Sequence, residues 1–317
     1  MTDATTAPEA PQSPAAADHA IVTRGLSKQY GRRFAVSDLS ISIPKGAVAG
    51  FVGPNGAGKT TTIRMLLGLV RPTSGTAEVL GTSIHHPRSY LPRVGALIES
   101  PAFYPSLDGH ANLKVLARLG GFSVDRIPAL IDRVGLQGRG SDRVSGYSLG
   151  MKQRLGVAAA LLPDPEILLL DEPANGLDPP GIIEMRELMR SLREEGKTIF
   201  VSSHLLGEVE QVADWLVVLK DGKSVFSGPT SDMLKASSGG IQIAPERAAD
   251  VDSLSALLRE NGFTSSRQNG YLLVTAPASK AGDLNRIAAK GGITLVEIHP
   301  VHATLEETFL TMISGKH

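Results

Sequence analysis

From residue 21 onward, short apolar runs alternate with turns rich in glycine and proline. Residues 60–69 place Ile63, Leu66 and Leu67 at the spacing of one helical face. Three runs are mainly apolar from end to end, as in strands of a parallel sheet that is covered on both faces: residues 47–52, 167–170 and 198–202. This order of strands and helices predicts an α/β unit.

A second pattern follows Ser237-Ser-Gly-Gly240, which is typical of a linker. Beyond it we predict strand, helix, strand, strand, helix and strand, a split βαβ arrangement: residues 241–243, 249–261, 263–266, 271–275, 280–290 and 293–298. An amphipathic helix is predicted over residues 304–313. We therefore expect a small α+β extension over residues 237–317, after a larger domain over residues 21–236.

Composition narrows the class of protein. The 317 residues include 32 Lys plus Arg and 32 Asp plus Glu, so no basic excess indicates a nucleic-acid partner. The absence of cysteine excludes disulfides, thiolate metal sites and a cysteine nucleophile. No apolar stretch approaches the roughly 18 residues of a membrane span, so none is expected. Residues 1–20 lack Lys and Arg and are rich in Ala, Pro and Thr, which predicts a disordered tail.

The first candidate for a functional site is a phosphate-binding loop. Gly53-Pro-Asn-Gly-Ala-Gly-Lys59-Thr60 fits G-x-x-x-x-G-K-[ST] and lies between a predicted strand and a predicted helix. In such a loop, backbone N–H groups and the helix N-terminus face an anion. Lys59 would reach the β- and γ-phosphates, and the Thr60 hydroxyl would hold Mg²⁺. Taken alone, the pattern also fits an ordinary glycine-rich turn that carries a surface lysine.

Two acids end the apolar run at residues 167–170. Open α/β sheets keep their active sites at the carboxyl ends of the strands, which is where Asp171 and Glu172 are expected. Asp171 suits a metal site, and Glu172 suits a base that orients and deprotonates water. A solvated acidic turn is the alternative, and the nearby phosphate loop makes it the weaker one.

Further motifs make the chain resemble the ATP-binding cassette (ABC) ATPases. Ser148-Leu-Gly-Met-Lys-Gln-Arg154 resembles the family's signature motif, and Asn175-Gly-Leu-Asp178 resembles its D-loop. His204, 33 residues beyond Asp171, is placed like the family's switch histidine. Tyr30 precedes the phosphate loop, where the family stacks an aromatic ring on adenine. The resemblance covers residues 21–229.

The resemblance implies a P-loop NTPase cassette, a mixed-sheet α/β core with an antiparallel β subdomain and a helical subdomain at about residues 100–160. It implies ATP and Mg²⁺ as ligands, and a head-to-tail homodimer in which each signature motif faces the partner's nucleotide. The implied ATP-binding residues are Tyr30, Gly53, Asn55, Gly56, Gly58, Lys59, Thr60, Thr61, Ser148, Gly150 and Asp178. The implied catalytic residues are Lys59, Glu172 and His204, and the implied metal-binding residues are Thr60, Asp171 and Glu99.

Two positions depart from the family pattern. Leu149 stands where the usual LSGGQ signature has its first glycine, and a positive φ there would cost leucine on the order of 1 kcal/mol. Glu99 stands where the family has glutamine, which places an acid near the predicted metal site. We expect both departures to affect the rate of ATP hydrolysis and its coupling to the permease, and not the fold.

A single cassette without a predicted membrane span implies a separately encoded permease. Glu99, the following Phe103 and Tyr104, and the C-terminal extension resemble the exporters of drugs and bacteriocins. The expected location is therefore the cytoplasmic face of the cell membrane, with cargo among drugs, antimicrobial peptides or lipids. One alternative is a soluble ABC protein of translation or DNA maintenance, but such proteins carry two cassettes or long coiled coils. A P-loop small-molecule kinase would leave the signature and D-loop unexplained.

Overall fold

The computed structural model describes residues 18–99, 102–236, 240–268 and 270–301. The chain divides into two compact units, Met1–Gly228 and Pro229–His317. The second unit thus begins eight residues before the predicted boundary, because the helix that precedes the predicted linker is part of it. The predicted helix at 304–313 lies outside the described residues, as do residues 1–17 of the predicted tail.

The first unit is a mixed α/β structure. In chain order, its strands are β1 (His19–Tyr30), β2 (Arg33–Leu39), β3 (Ser42–Pro44), β4 (Val48–Val52), β5 (Ser74–Val79), β6 (Thr82–Ser83), β7 (Val94–Leu97), β8 (Ile167–Asp171), β9 (Thr198–Ser203), β10 (Trp215–Lys220) and β11 (Lys223–Pro229). Its helices are α1 (Lys59–Leu66), α2 (Gly109–Gly120), α3 (Ile127–Arg133), α4 (Leu149–Ala160), α5 (Pro179–Glu194) and α6 (Leu206–Glu210).

The described residues of this unit form two sheets. One has six strands in the order β11-β10-β4-β9-β8-β7, and the pairs from β10 to β7 are parallel. The other is antiparallel: β1 pairs with β2, β3 and β5, and β5 pairs with β6. The predicted tail is too long at its end, because β1 begins at His19 and both Ala20 and Ile21 are fully buried.

Strand β8 shows why its apolar run is continuous. Ile167 and Leu169 belong to a core shared with α1 and the antiparallel sheet. Leu168 and Leu170, which point to the opposite face, belong to the core beneath α2 to α5. Because both faces are covered, every position of the strand must be apolar until the acid that ends it.

A helical layer is built from α2, α3 and α4, within the predicted range of residues 100–160. The Asp108 carboxylate caps α2 by accepting a hydrogen bond from the Ala111 N–H at 2.7 Å. Leu113, Ile127 and Leu155 pack into one core with the parallel sheet. None of the described helices in either unit has the length and apolar content to span a bilayer.

The second unit has a split βαβ topology, as predicted. Its elements are α7 (Thr230–Ala236), β12 (Gly240–Pro245), α8 (Val251–Glu260), β13 (Ser265–Gln268), β14 (Tyr271–Thr275), α9 (Ala281–Lys290) and β15 (Leu295–Val301). The sheet order is β13-β14-β12-β15, and every pair is antiparallel. Inward side chains of β12 and β14 pack on Leu254 and Leu258 of α8 and on Leu284 of α9.

Candidate active site

The phosphate loop connects the buried strand β4 to α1, and its backbone requires glycine. Gly56 and Gly58 have φ values of 81° and 106°, in the region that L side chains rarely adopt. A β-carbon on Gly58 would lie 2.4 Å from the Ala35 carbonyl oxygen. The loop therefore presses against β2 at the start of α1, where the orphan N–H groups of the helix favour an anion.

Lys59, the first residue of α1, is a buried cation with only 6% of its surface exposed. Its ammonium donates a hydrogen bond to the Gly53 carbonyl oxygen at 2.7 Å. The same Nζ lies 3.3 Å from Oε1 of Glu172. The loop thus encloses a positive charge beside the carboxylate that follows β8.

Thr60 and Asp171 form a pair of hard oxygen donors. The Thr60 hydroxyl donates to Oδ2 of Asp171 at 2.7 Å, and Asp171 is 3% exposed. Oδ1 of the same carboxylate accepts a hydrogen bond from the Ser202 hydroxyl at 2.5 Å. A hydroxyl and a carboxylate suit Mg²⁺, which takes few protein ligands and completes its shell with water and phosphate oxygens. The described residues contain no cluster of three or more His, Asp or Glu side chains that could hold a metal ion by themselves.

Glu172 lies between two groups that bear on its carboxylate. Oε1 faces Lys59, and Oε2 is 2.8 Å from Nδ1 of His204 and 3.3 Å from the His204 backbone nitrogen. Its φ of 50° is left-handed, which is uncommon for a residue with a side chain. Strands β8 and β9 are paired, so the acid and the histidine meet at one edge of the sheet.

A cleft of about 460 Å³, within the size range of small-ligand sites, is lined by Lys59 and Glu172 but not by His204. Eight predicted residues line it: Tyr30, Asn55, Gly56, Gly58, Lys59, Thr60, Thr61 and Glu172. Tyr30 is half exposed, with the Lys28 ammonium 5.0 Å from its ring centroid. An exposed aromatic ring at the mouth of a cationic cleft suits the π-face of a base.

Two further residues of the cleft, Arg33 and Ala35, were not predicted from the sequence. Arg33 pairs with Tyr30 across the β1–β2 turn, so it stands beside the aromatic ring. The signal was present in the basic pair that follows Tyr30, but only the hairpin register places one of the two in the cleft. Ser202, which contacts Asp171, was also missed.

The predicted signature and D-loop residues do not line this cleft. The Ser148 hydroxyl caps α4 by accepting from the Met151 N–H at 3.2 Å, as predicted for a helix cap. Gly150 lies in the first turn of the same helix. Asp178 caps α5 by accepting from the Gly181 N–H at 3.2 Å. Both caps are exposed to solvent in the single chain.

Leu149 and Glu99, the two residues that depart from the family pattern, both lie within the described residues. Leu149 is the first residue of α4 and has no positive φ, so the cost considered for leucine at this position does not arise. Glu99 is exposed, and its carboxylate pairs with the Arg64 guanidinium of α1. Its contact with a metal stays a prediction.

Known proteins resemble this chain over most of its length. The family model described as ABC transporter matches residues 36–175. The bacitracin transport ATP-binding protein of Enterococcus faecalis is 38% identical over 304 residues, which cover 94% of this chain and 97% of that protein. A daunorubicin resistance ATP-binding protein of Streptomyces coeruleorubidus is 36% identical over 303 residues, which cover 93% and 96% of the two chains.

Solved structures also resemble this chain in their fold. A structure described as the ATP-binding subunit of an ABC transporter superposes with a TM-score of 0.62 and 29% sequence identity. The match covers 68% of this chain and 92% of that one. The predicted P-loop cassette fold is thereby confirmed.

Proposed function

Since this chain belongs to the ABC transporter family as an ATP-binding subunit, we propose that it powers a separately encoded permease that exports drugs, antimicrobial peptides or lipids. Two relatives that align over nearly the whole chain are named for bacitracin transport and daunorubicin resistance. Those names support an exporter rather than a protein of translation or DNA maintenance. The chain itself is an ATPase, and its nucleotide is hydrolysed to drive transport.

We place the ATP phosphates at the loop from Gly53 to Thr60. Lys59 supplies a buried positive charge there, and Tyr30 supplies an exposed ring for the base. Thr60 and Asp171 would hold Mg²⁺, because they already present a hydroxyl and a carboxylate to each other. When bound, the ion neutralises charge on the phosphate oxygens.

The position of Glu172 carries the proposed mechanism. Its carboxylate lies between Lys59 Nζ at 3.3 Å and His204 Nδ1 at 2.8 Å, and Glu172 lines the cleft. We assign Glu172 as the general base that takes a proton from the attacking water. His204 holds one oxygen of that base, and we propose that it also contacts the γ-phosphate.

The proposed shared-site dimer is supported by three predicted residues that lie outside the cleft. Ser148, Gly150 and Asp178 lie at exposed helix starts outside the cleft of their own chain. The N-terminus of α4 is free to face an anion on another molecule. We propose a symmetric homodimer in which each chain presents this helix start to the partner's ATP.

We assign separate roles to residues 103–104 and to the second unit. We propose that Phe103 and the exposed Tyr104 contact the permease, which holds the chain at the cytoplasmic face of the membrane. The second unit carries none of the nucleotide motifs. We therefore assign it a regulatory or dimer-stabilising role.

Glu172→Gln tests the mechanism. It keeps the shape of the side chain but removes the proton acceptor, so hydrolysis should slow by about 10²–10⁴-fold. ATP then accumulates uncleaved and stabilises the closed dimer by mass action. Size-exclusion chromatography should give a dimer with ATP, most clearly when Na⁺ replaces Mg²⁺, and a monomer with ADP. Hydrolysis at the parent rate would refute the assignment of the base.

Two further variants separate binding from dimerisation. Adding Ser148→Arg to Glu172→Gln should abolish the ATP-dependent dimer, because it adds bulk and charge at the exposed start of α4.

Lys59→Ala should abolish tight ATP binding, since a charge-assisted contact contributes about 1.5–3 kcal/mol. Lys114, exposed on α2, provides the matched control for loss of a lysine. Unchanged binding by Lys59→Ala would refute the phosphate site.

A further inference from the structure

Ser202 lies one strand away from the two acids and contacts both. It is in β9, it is completely buried, and it does not line the cleft. Its hydroxyl lies 2.5 Å from Oδ1 of Asp171 and 3.0 Å from the backbone nitrogen of Glu172. One buried hydroxyl therefore joins the two consecutive residues at the end of β8.

The direction of each bond is fixed by chemistry. A serine hydroxyl has one hydrogen to donate and lone pairs to accept. An ionised carboxylate accepts only and an N–H donates only, so Ser202 donates to Asp171 and accepts from Glu172. The remaining oxygen of Asp171 accepts from Thr60 at 2.7 Å. Each oxygen of this buried carboxylate thus has its own hydroxyl donor.

The backbone conformation of Glu172 also depends on Ser202. Its φ of 50° places it where residues with side chains are uncommon, and such conformations persist when the surroundings enforce them. The Glu172 N–H is held by the Ser202 hydroxyl at 3.0 Å and by the Ser202 carbonyl oxygen at 3.2 Å. Ser202 therefore anchors the conformation that turns the Glu172 carboxylate toward Lys59 and His204.

We propose that Ser202 is a positioning residue for hydrolysis, which orients the Asp171 carboxylate toward Thr60 and fixes the backbone of Glu172. The proposal rests on the roles given above to Asp171 and Glu172. It assigns Ser202 no contact with nucleotide, because its hydroxyl is enclosed. Its effect on the reaction passes through the two acids.

Ser203, the next residue, shows that the arrangement is specific. It too is buried, but its hydroxyl accepts from the Leu205 N–H at 2.9 Å and donates to the Leu205 carbonyl oxygen at 3.5 Å, so it holds the following loop and not an acid. The two serines therefore share a strand end and differ in what they hold. Ser203→Ala is the matched control for Ser202→Ala.

The test compares steady-state hydrolysis by the full chain. Ser202→Ala should lower kcat by about 10- to 100-fold, the equivalent of a lost hydrogen bond to a charged group. The Mg²⁺ concentration for half-maximal rate should rise, and KM for ATP should stay within about twofold because the phosphate loop is untouched. Ser203→Ala should keep the parent kcat and Mg²⁺ dependence. A purely structural role would lower the melting temperature without this separation of kcat from KM.

A second pair of variants decides the matter if Ser202→Ala folds poorly. Ser202→Thr and Ser202→Val introduce side chains of nearly the same shape, and Ser202 lines a small, partly open pocket of about 20 Å³. Only threonine keeps the hydroxyl, so it should recover most of the parent kcat, and valine should not. Equal kcat and Mg²⁺ dependence for these two variants would overturn the proposal.

Glu172→Gln, measured in parallel, separates the two ideas. Slow hydrolysis by Glu172→Gln together with parent-like Ser202→Ala would overturn the role of Ser202 and leave the base assignment intact. Parent-like hydrolysis by Glu172→Gln would remove the premise itself.

Discussion

The side chain of Leu149 packs against the backbone of Gly176. A β-carbon on Gly176 would lie 2.3 Å from Cδ2 of Leu149, and Gly176 has a φ of 75°. At the next residue of each segment, a β-carbon on Gly150 would lie 3.0 Å from Cδ2 of Leu177. The leucine that departs from the usual signature therefore connects the start of α4 to the segment that leads into α5.

We expect this contact to appear as coupling between two substitutions. Gly176→Ala should destabilise the protein by about 1–2 kcal/mol through its left-handed φ, with a further cost from displacing Leu149. In a Leu149→Ala background the further cost should be lost, which gives a coupling energy of about 0.5–3 kcal/mol in urea unfolding. Gly196→Ala is the control, because its φ is 83° and a β-carbon there meets nothing within 4 Å. Strict additivity at 149 and 176 would contradict the contact.

Because Glu99 forms an ion pair with Arg64, variants of both residues can test the predicted role of Glu99 near the metal. Glu99→Gln should change the Mg²⁺ dependence of hydrolysis, because it removes a negative charge near the predicted metal site. Arg64→Gln leaves that carboxylate without its partner, so the Mg²⁺ concentration for half-maximal rate should move the opposite way. Titrations of rate against Mg²⁺ check both. Curves that superimpose on the parent's would place Glu99 beyond the reach of the metal.

The part of the second unit that follows α7 can be removed to test whether nucleotide binding depends on it. A chain that ends after Ala236 retains every residue that lines the nucleotide cleft and the whole of β11. We expect it to bind ATP with a Kd within about threefold of the full chain's, since each unit has its own core. Isothermal titration with ATP, after circular dichroism confirms folding, gives the comparison. Loss of binding by a folded 1–236 chain would show that the nucleotide site depends on the second unit.

Tyr90 gives a prediction of pH dependence. It is fully buried, its hydroxyl donates to the Leu66 carbonyl oxygen of α1 at 2.7 Å, and burial raises its pKa from 10.0 to about 12. Between these values the unfolded chain has lost the phenol proton and the folded chain keeps it. The free energy of unfolding should therefore fall by on the order of 2–3 kcal/mol as pH rises from 10 to 12.

Tyr90→Phe isolates that contribution. It has no proton to lose, so its free energy of unfolding should decline less steeply over the same range. At neutral pH it should be less stable by about 1–3 kcal/mol, because the Leu66 carbonyl oxygen loses its donor. Denaturant unfolding of both proteins at pH 7, 10 and 11 measures the difference. Parallel decline of the two proteins above pH 10 would contradict the raised pKa.

The sequence predicted best what short-range patterns determine. The strand at Tyr271–Thr275 and the apolar run ending at Asp171 match their predicted positions, because burial on one or both faces dictates residue type. The phosphate loop was equally clear, since its glycines are required by backbone geometry. These features need no knowledge of what packs against them.

Features that depend on strand pairing could not be predicted in the same way. Arg33 enters the cleft through the register of β1 with β2, which shifts twice between Leu26 and Gln29. Ser202 reaches Asp171 only because β9 lies beside β8. In the sequence it is one polar residue at the end of an apolar run, which equally suits a strand that simply stops.

The 3.3 Å contact between Lys59 and Glu172 gives the proposed mechanism an order of events. With the loop empty, the ammonium and the carboxylate neutralise each other, so neither the proposed anion-binding charge nor the proposed base would be fully available. A phosphate in the loop would compete with Glu172 for the same cation and so release the carboxylate. Under this mechanism, Glu172 would activate water only once there is a phosphate for the water to attack.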